Sequence, residues 1–236
     1  MPSGLFSVVS YADAMALAWF LVVWIGYGWL SEHSPWARHG LADVGDRHRL
    51  AWGWQMLRRE VRIPDAALVG NLMQSVSFYA NTTIYIIAGV LALLGTLDQV
   101  ISFTEDLPFA RETSRALWEM KLALLFCVFV FAYFKFTWAL RQFNLLSILI
   151  GSTPVMKEEN ESYDPRLAEI AARRLGRVNS LAGDEFNRGI RAYYFGLAAV
   201  AWFVQPWIFM AMTTVIAVVL YRRDFTSALL IALRDE

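Results

Sequence analysis

Residues 11–30 read YADAMALAWFLVVWIGYGWL, from Tyr11 to Leu30, and Asp13 is the only charged residue among them. A bilayer's hydrocarbon core is about 30 Å thick, so a helix needs about 20 predominantly apolar residues to cross it. This stretch has that length. Outward from it three more apolar runs follow, and the four expected spans cover about 7–30, 68–97, 118–148 and 190–221. In lipid every backbone amide must be satisfied internally, and runs this long are too long for barrel strands, so all four are predicted as helices. The fold class expected is all-α, a four-helix transmembrane bundle with short amphipathic cytoplasmic helices, forming one integral membrane domain over 1–236.

Composition agrees. Of 236 residues 57% are hydrophobic, 15% aromatic and 18% charged, which would leave a soluble fold of this size with too much apolar surface. The formal net charge is zero, so nothing draws the chain as a whole to nucleic acid or to an acidic substrate. The single cysteine, Cys127, lies in the third apolar run, where a packed thiol is expected. No Lys or Arg precedes the first run and no small-residue cleavage site follows it, so it reads as a retained span rather than a signal peptide.

Basic residues set the expected orientation. Twelve lie in segments 31–67 and 151–189, including Arg38, Arg47, Arg58, Lys157, Arg166 and Arg188, against Arg111, Arg115, Arg222, Arg223 and Arg234 elsewhere outside the spans. The positive-inside rule then puts the two long loops in the cytoplasm and both termini outside, with Arg222 and Arg223 pointing the other way.

Both loops carry helix signals. Asp164-Pro165 is an N-cap followed by proline at N1, and Leu167, Ile170, Ala171, Leu175, Val178 and Leu181 recur at helical spacing. Arg173 and Arg177 flank this stripe and Arg174 falls inside it, where it must snorkel or find a partner. The helix either lies on anionic headgroups of the inner leaflet or caps the bundle. Asp184 is expected to cap the next helix. The earlier run Arg47, His48, Arg49, Trp52, Trp54, Arg58, Arg59 and Arg62 ends at Ile63-Pro64-Asp65, a new helix start. Beside a span, Trp and Arg belong to the headgroup zone rather than to RNA. Candidate headgroup contacts are therefore Arg47, Arg49, Trp52, Arg58, Arg59, Arg173, Arg174 and Arg177.

Polar residues inside apolar spans are costly and mark candidate sites. Asn71, Gln74, Ser75, Phe78, Asn81, Thr82 and Tyr85 share one face of the second span, and this stripe is expected to meet protein or water. The third span carries Lys121, Lys135 and Arg141. Lys135 either snorkels to the inner headgroups or is a buried functional cation, with Trp138 and Gln142 on the same face and Asn144 close by. In the fourth, Pro206 frees the carbonyl of Trp202 and is expected to kink the helix, while Arg188, Arg191 and Tyr193 stand at its cytoplasmic mouth. Candidate ligand-binding residues are thus Asn71, Gln74, Asn81, Lys135, Trp138, Arg141, Gln142, Asn144, Arg188, Arg191 and Tyr193.

The segments Arg47-His48-Arg49-Leu50-Ala51-Trp52, Asn71-Leu72-Met73-Gln74-Ser75, Phe78-Tyr79-Ala80-Asn81-Thr82-Thr83, Phe134-Lys135-Phe136-Thr137-Trp138, Leu140-Arg141-Gln142-Phe143-Asn144 and Phe186-Asn187-Arg188-Gly189-Ile190-Arg191-Ala192-Tyr193-Tyr194-Phe195 resemble bacterial members of the membrane family catalogued as domain of unknown function 599. The resemblance covers nearly the whole chain. It implies a four-span protein of a bacterial inner membrane, without an assigned reaction.

Enzyme chemistry finds no support. His33, His39 and His48 lack zinc-site spacing, no phosphate-binding glycine loop opens a helix, and Glu158, Glu159, Glu161 and Asp164 lack the glycine turn of a calcium loop. No catalytic residue, metal or cofactor is expected. The expected partners are membrane lipids and either further copies of the chain or a partner membrane protein. Two functions fit: an oligomeric, channel-like or transport-like protein with a cationic vestibule facing the cytoplasm for an anion or small polar solute, which is favoured, and a scaffold or assembly factor holding anionic lipid or a partner.

Overall fold

A computed structural model describes residues 10–105, 114–159 and 163–233, and these form helices and turns without strands. Residues 7–9 of the first expected span, with Arg111, Glu161 and Arg234, lie outside the described residues, as does the side chain of Arg38. Helices α1 (Tyr11–His33), α2 (Leu41–Arg58), α3 (Ile63–Gly95), α4 (Leu97–Glu105), α5 (Arg115–Ser152), α6 (Pro165–Val200), α7 (Pro206–Phe225) and α8 (Ala228–Ala232) follow one another, with 3-10 turns at Pro35–His39 and Ala201–Phe203.

Local chemistry sets the starts. Ser10 and Ser114 accept from the amides of Asp13 and Leu117, and Asp164 accepts from Arg166 with Pro165 in the first turn. Pro64 and Asp65 open α3 as the sequence predicts. Asp184, however, caps nothing. It lies in the interior of α6, which runs unbroken from Pro165 to Val200, straight through Gly183 and with no proline after its first residue.

Among the described residues three helices are long and apolar enough to cross a membrane: α1, α3 and α5. The fourth expected span does not exist as one rod. Proline disfavours the helical region for the residue before it, and Gln205 is extended at φ −157°, ψ 147°. The chain does not merely kink here but turns back. Trp202 in the 3-10 turn that follows α6 donates to Asp13 at the start of α1 (2.9 Å), whereas Arg188, earlier in α6, holds Glu32 at the end of α1. α6 therefore runs antiparallel to α1. On α7, Thr214 accepts from Trp19 (3.1 Å) and Asp224 from Tyr27 (2.7 Å), so α7 runs parallel to α1. The first and last described residues consequently lie at opposite ends of the bundle. Arg222 and Arg223 come to the end that carries the two basic loops, which accounts for their dissent in the charge count.

Two cores stack along the axis. At the basic end Met56, Val69, Phe136, Phe143, Leu146 and Leu175 join α2, α3, α5 and α6. At the other end Phe20, Val128, Phe129, Phe195, Trp202 and Phe209 join α1, α5, α6 and α7. α6 packs chiefly through small residues, Ala168, Ala172, Gly176, Ala182, Gly189 and Gly196. Helix axes can then approach closely: a Cβ on Gly53 of α2 would stand 2.8 Å from the carbonyl oxygen of Ala172, and one on Gly176 would stand 2.9 Å from the Cα of Leu50. Leu167, Ile170 and Leu181 of the expected apolar stripe are exposed instead, and so is Arg174, which needs no special accommodation. α6 packs on α2 and α5. Cys127 is exposed rather than packed.

Candidate functional site

The C-terminal end of α1 and the middles of α5 and α6 bring five charges together. Lys135 Nζ lies 2.9 Å from Glu185 Oε2. The other oxygen of Glu185 accepts from Arg188. Arg188 grips Glu32 with two parallel bonds, Nε to Oε1 and Nη2 to Oε2, each 2.8 Å, and Arg191 donates to the same Glu32 Oε1. Two guanidinium groups thus converge on one carboxylate, the planar fork geometry in which arginine recognises carboxylate and phosphate. Three cations face two carboxylates. Glu185 is buried, Arg191 nearly so, and Lys135 also covers the Phe131 ring at 5.4 Å.

Helical spacing explains the chain of pairs. Glu185 and Arg188 are three apart on α6 and share a face. Arg191 follows three residues later on the same face, and Glu32 reaches both from the last turn of α1.

Two cavities meet at this cluster. A cleft of about 510 Å³ opens between α1, α5 and α6, walled by Trp24, Ile25, Phe131 and Phe195 and ending at Lys135 and Arg188. On the other side a polar pocket of about 450 Å³ is lined by Asp43, Asp46, Arg177, Asp184 and Asn187. Glu32, His33, Arg188 and Arg191 belong to both walls. Burial and the neighbouring Asp46 push the Asp184 carboxyl above its ordinary pKa, against the pull of Arg49, Arg188 and Arg177.

The family model described as protein of unknown function, DUF599, matches residues 15–229. The chain belongs to this family. No curated protein and no solved structure matches it.

Of the candidate residues in this DUF599 chain, the structure gathers Lys135, Arg188 and Arg191 and scatters the rest. Asn71, Gln74 and Asn81 lie on the exposed face of α3 and line neither cavity at the cluster. Ser75 and Thr82 turn back to the carbonyls of Asn71 and Phe78. α3 packs on α5 through Val69, Val76, Ala80 and Thr83, a narrow stripe that points its amides outward. Trp138, Arg141 and Asn144 are exposed, with the Arg141 guanidinium 5.9 Å from the Trp138 ring. Gln142 is half-buried and its Oε1 has no hydrogen-bond partner among the described residues. Tyr193 sits in the core between the Tyr79 and Phe129 rings.

The headgroup candidates are mostly paired within the chain: Arg47 with Asp43, Arg49 with Asp46, Arg58 with Glu158, Arg173 with Glu169, and both Trp52 and Arg59 with Asp65. Arg174 and Arg177 are exposed, and Arg177 lines the polar pocket. Glu32 and Glu185 are absent from the residues picked out by sequence, because both lie just outside the apolar runs in which a polar group stands out. Glu185 three residues before Arg188 is the one signal that points to either.

Proposed function

We propose that this chain is a non-enzymatic, multi-pass protein of the bacterial inner membrane that binds an anion at Arg188 and Arg191. One observation carries the reading: two arginines converge on a single carboxylate where a polar pocket meets an apolar cleft. Lys121 and Arg141 are 20 residues apart on α5, about 30 Å at 1.5 Å per residue, which fits one hydrocarbon core. On this placement the cluster lies within the inner leaflet. The basic loops, the N-terminal part of α6 and the C-terminal turn of α7 are cytoplasmic, and the α6–α7 hairpin enters the bilayer from that side.

The test is a thermal-shift titration of purified protein with acetate, phosphate and hexadecanoate. At least one anion should raise the Tm of the wild type and leave an Arg188→Gln/Arg191→Gln variant unmoved. Equal shifts in both proteins, or none in the wild type, would overturn the reading.

Transport has one observation in its favour, the polar pocket at the basic end. Phe20, Phe195, Trp202 and Phe209 fill the axis beyond the cluster, so passage would run between copies or along the outer cleft. Anion flux through liposomes that is lost in Lys135→Met would favour it; a binding protein gives none.

A further inference from the structure

The shape of the cleft narrows the chemistry of its ligand. Its walls are apolar over Trp24, Ile25 and Phe131 and its end is charged, a division that matches an amphiphile and wastes half the surface on a small hydrated ion. Its volume, about 510 Å³, falls within the roughly 300–1,000 Å³ of sites for small organic ligands. The apolar part lies toward the membrane centre and the charged part toward the inner surface, the sense in which an inner-leaflet amphiphile is oriented.

The occupant of the charged end is already present as part of the protein. Glu32 gives Arg188 and Arg191 what a carboxylate or phosphate head would give them: two oxygens in the plane of one fork, with a second donor on one of them. α1 packs chiefly on α7, and Glu32 ties its last turn to α6 across the mouth of the cleft. An added anion must either displace this carboxylate or stand beside it, and one carboxylate beside another is repelled.

Resting on the anion-binding reading above, we propose that the ligand is a long-chain amphiphile with a carboxylate or phosphate head, which enters the α1–α5 cleft sideways from the inner leaflet and takes the place of Glu32 on Arg188 and Arg191. Glu32 is then an internal competitor. Its removal should strengthen binding, whereas loss of a glutamate that only supports the site would weaken it.

The experiment measures binding of acetate, octanoate, hexadecanoate and hexadecanol to the detergent-solubilised full chain and to Glu32→Gln. Affinity should climb with chain length among the carboxylates and be absent for the alcohol, and Glu32→Gln should bind hexadecanoate about ten-fold more tightly. Glu32→Asp, whose shorter arm breaks the two-bond grip while keeping the charge, should also bind more tightly and covers the case in which the glutamine variant fails to fold. Competition by phosphatidic acid in nanodiscs assigns the head to a phospholipid, and its failure to compete assigns it to a free fatty acid; both lie within the proposal. Weaker or unchanged binding by whichever variants fold, or acetate binding as tightly as hexadecanoate, would overturn it while leaving the anion site standing.

Discussion

The hydroxyl of Tyr27 on α1 donates to Asp224 on α7 across 2.7 Å, and 197 residues separate the two in the chain. This bond fixes the sense of α7, since Trp19 and Thr214 pair further back along the same two helices. An unbroken final span would have carried residue 224 to the far side.

Labelling therefore discriminates between the two topologies. In a Cys127→Ser background, Ser10→Cys and Thr226→Cys should react with an impermeant maleimide from opposite sides of the membrane, the first in intact cells and the second only after permeabilisation. Reaction of both from one side would restore the even number of crossings and remove the α6–α7 hairpin.

Close packing of α2 on α6 depends on two missing side chains. Gly53→Ala places a methyl against the Ala172 carbonyl, which cannot withdraw without moving the helix, so the expected loss is about 1–3 kcal/mol. Gly70 is exposed on α3 with nothing within 4 Å of an added Cβ, and Gly70→Ala should leave stability unchanged or raise it by up to about 1 kcal/mol through helix propensity. Thermal denaturation in detergent compares them.

Asp65 joins the start of α3 to the end of α2. It is fully buried and its Oδ1 accepts from Trp52 Nε1 and Arg59, while its Oδ2 has no hydrogen-bond partner among the described residues; the residue stands in the first turn of α3, where the helix dipole favours negative charge. Asp65→Ala should cost about 1–3 kcal/mol by removing the acceptor of the half-buried Trp52 indole and of Arg59. Asp65→Asn keeps that acceptor and should cost less, read as the order of the three melting temperatures.

The polar pocket has a pH signature. Asp184 has a folded-state pKa raised above its ordinary 3.8, so the folded chain holds this proton more tightly than the unfolded one. Stability should accordingly fall as pH rises from the ordinary value through the raised one. Asp184→Asn removes the half-buried charge, and its Tm should exceed the wild-type Tm at pH 8 and approach it at low pH. A variant that melts lower at pH 8 would show that Asp184 is held by its arginines rather than strained by burial and Asp46.

The helical class, the three long apolar helices, the cap at Asp164 and the proline start at Pro64 are legible in the sequence because length, apolarity and helix-start chemistry act locally. The reversal at Gln205-Pro206 is not. A proline in an apolar run is compatible with a bend or a turn, and what decides is whether α7 finds a partner, here the flank of α1 with Trp19 and Tyr27. The buried face of α6 differs from its large apolar stripe because neighbouring helices approach over glycine and alanine. Lys135, Arg188 and Arg191 stand out in the sequence as isolated cations. Their carboxylate partners come from another helix and from one turn earlier, a relation that distance in space reveals and distance in sequence conceals.

Asp13 and Trp202 meet at the tip of the returning hairpin, both buried, with the Lys121 ammonium 5.8 Å from the indole ring. During synthesis the ribosome delivers the carboxylate 189 residues ahead of its indole. A polypeptide stalled before residue 202 keeps Ser10 on this carboxylate but lacks the indole, so the link between the start of α1 and the α6–α7 turn closes only after nearly the whole chain has been made.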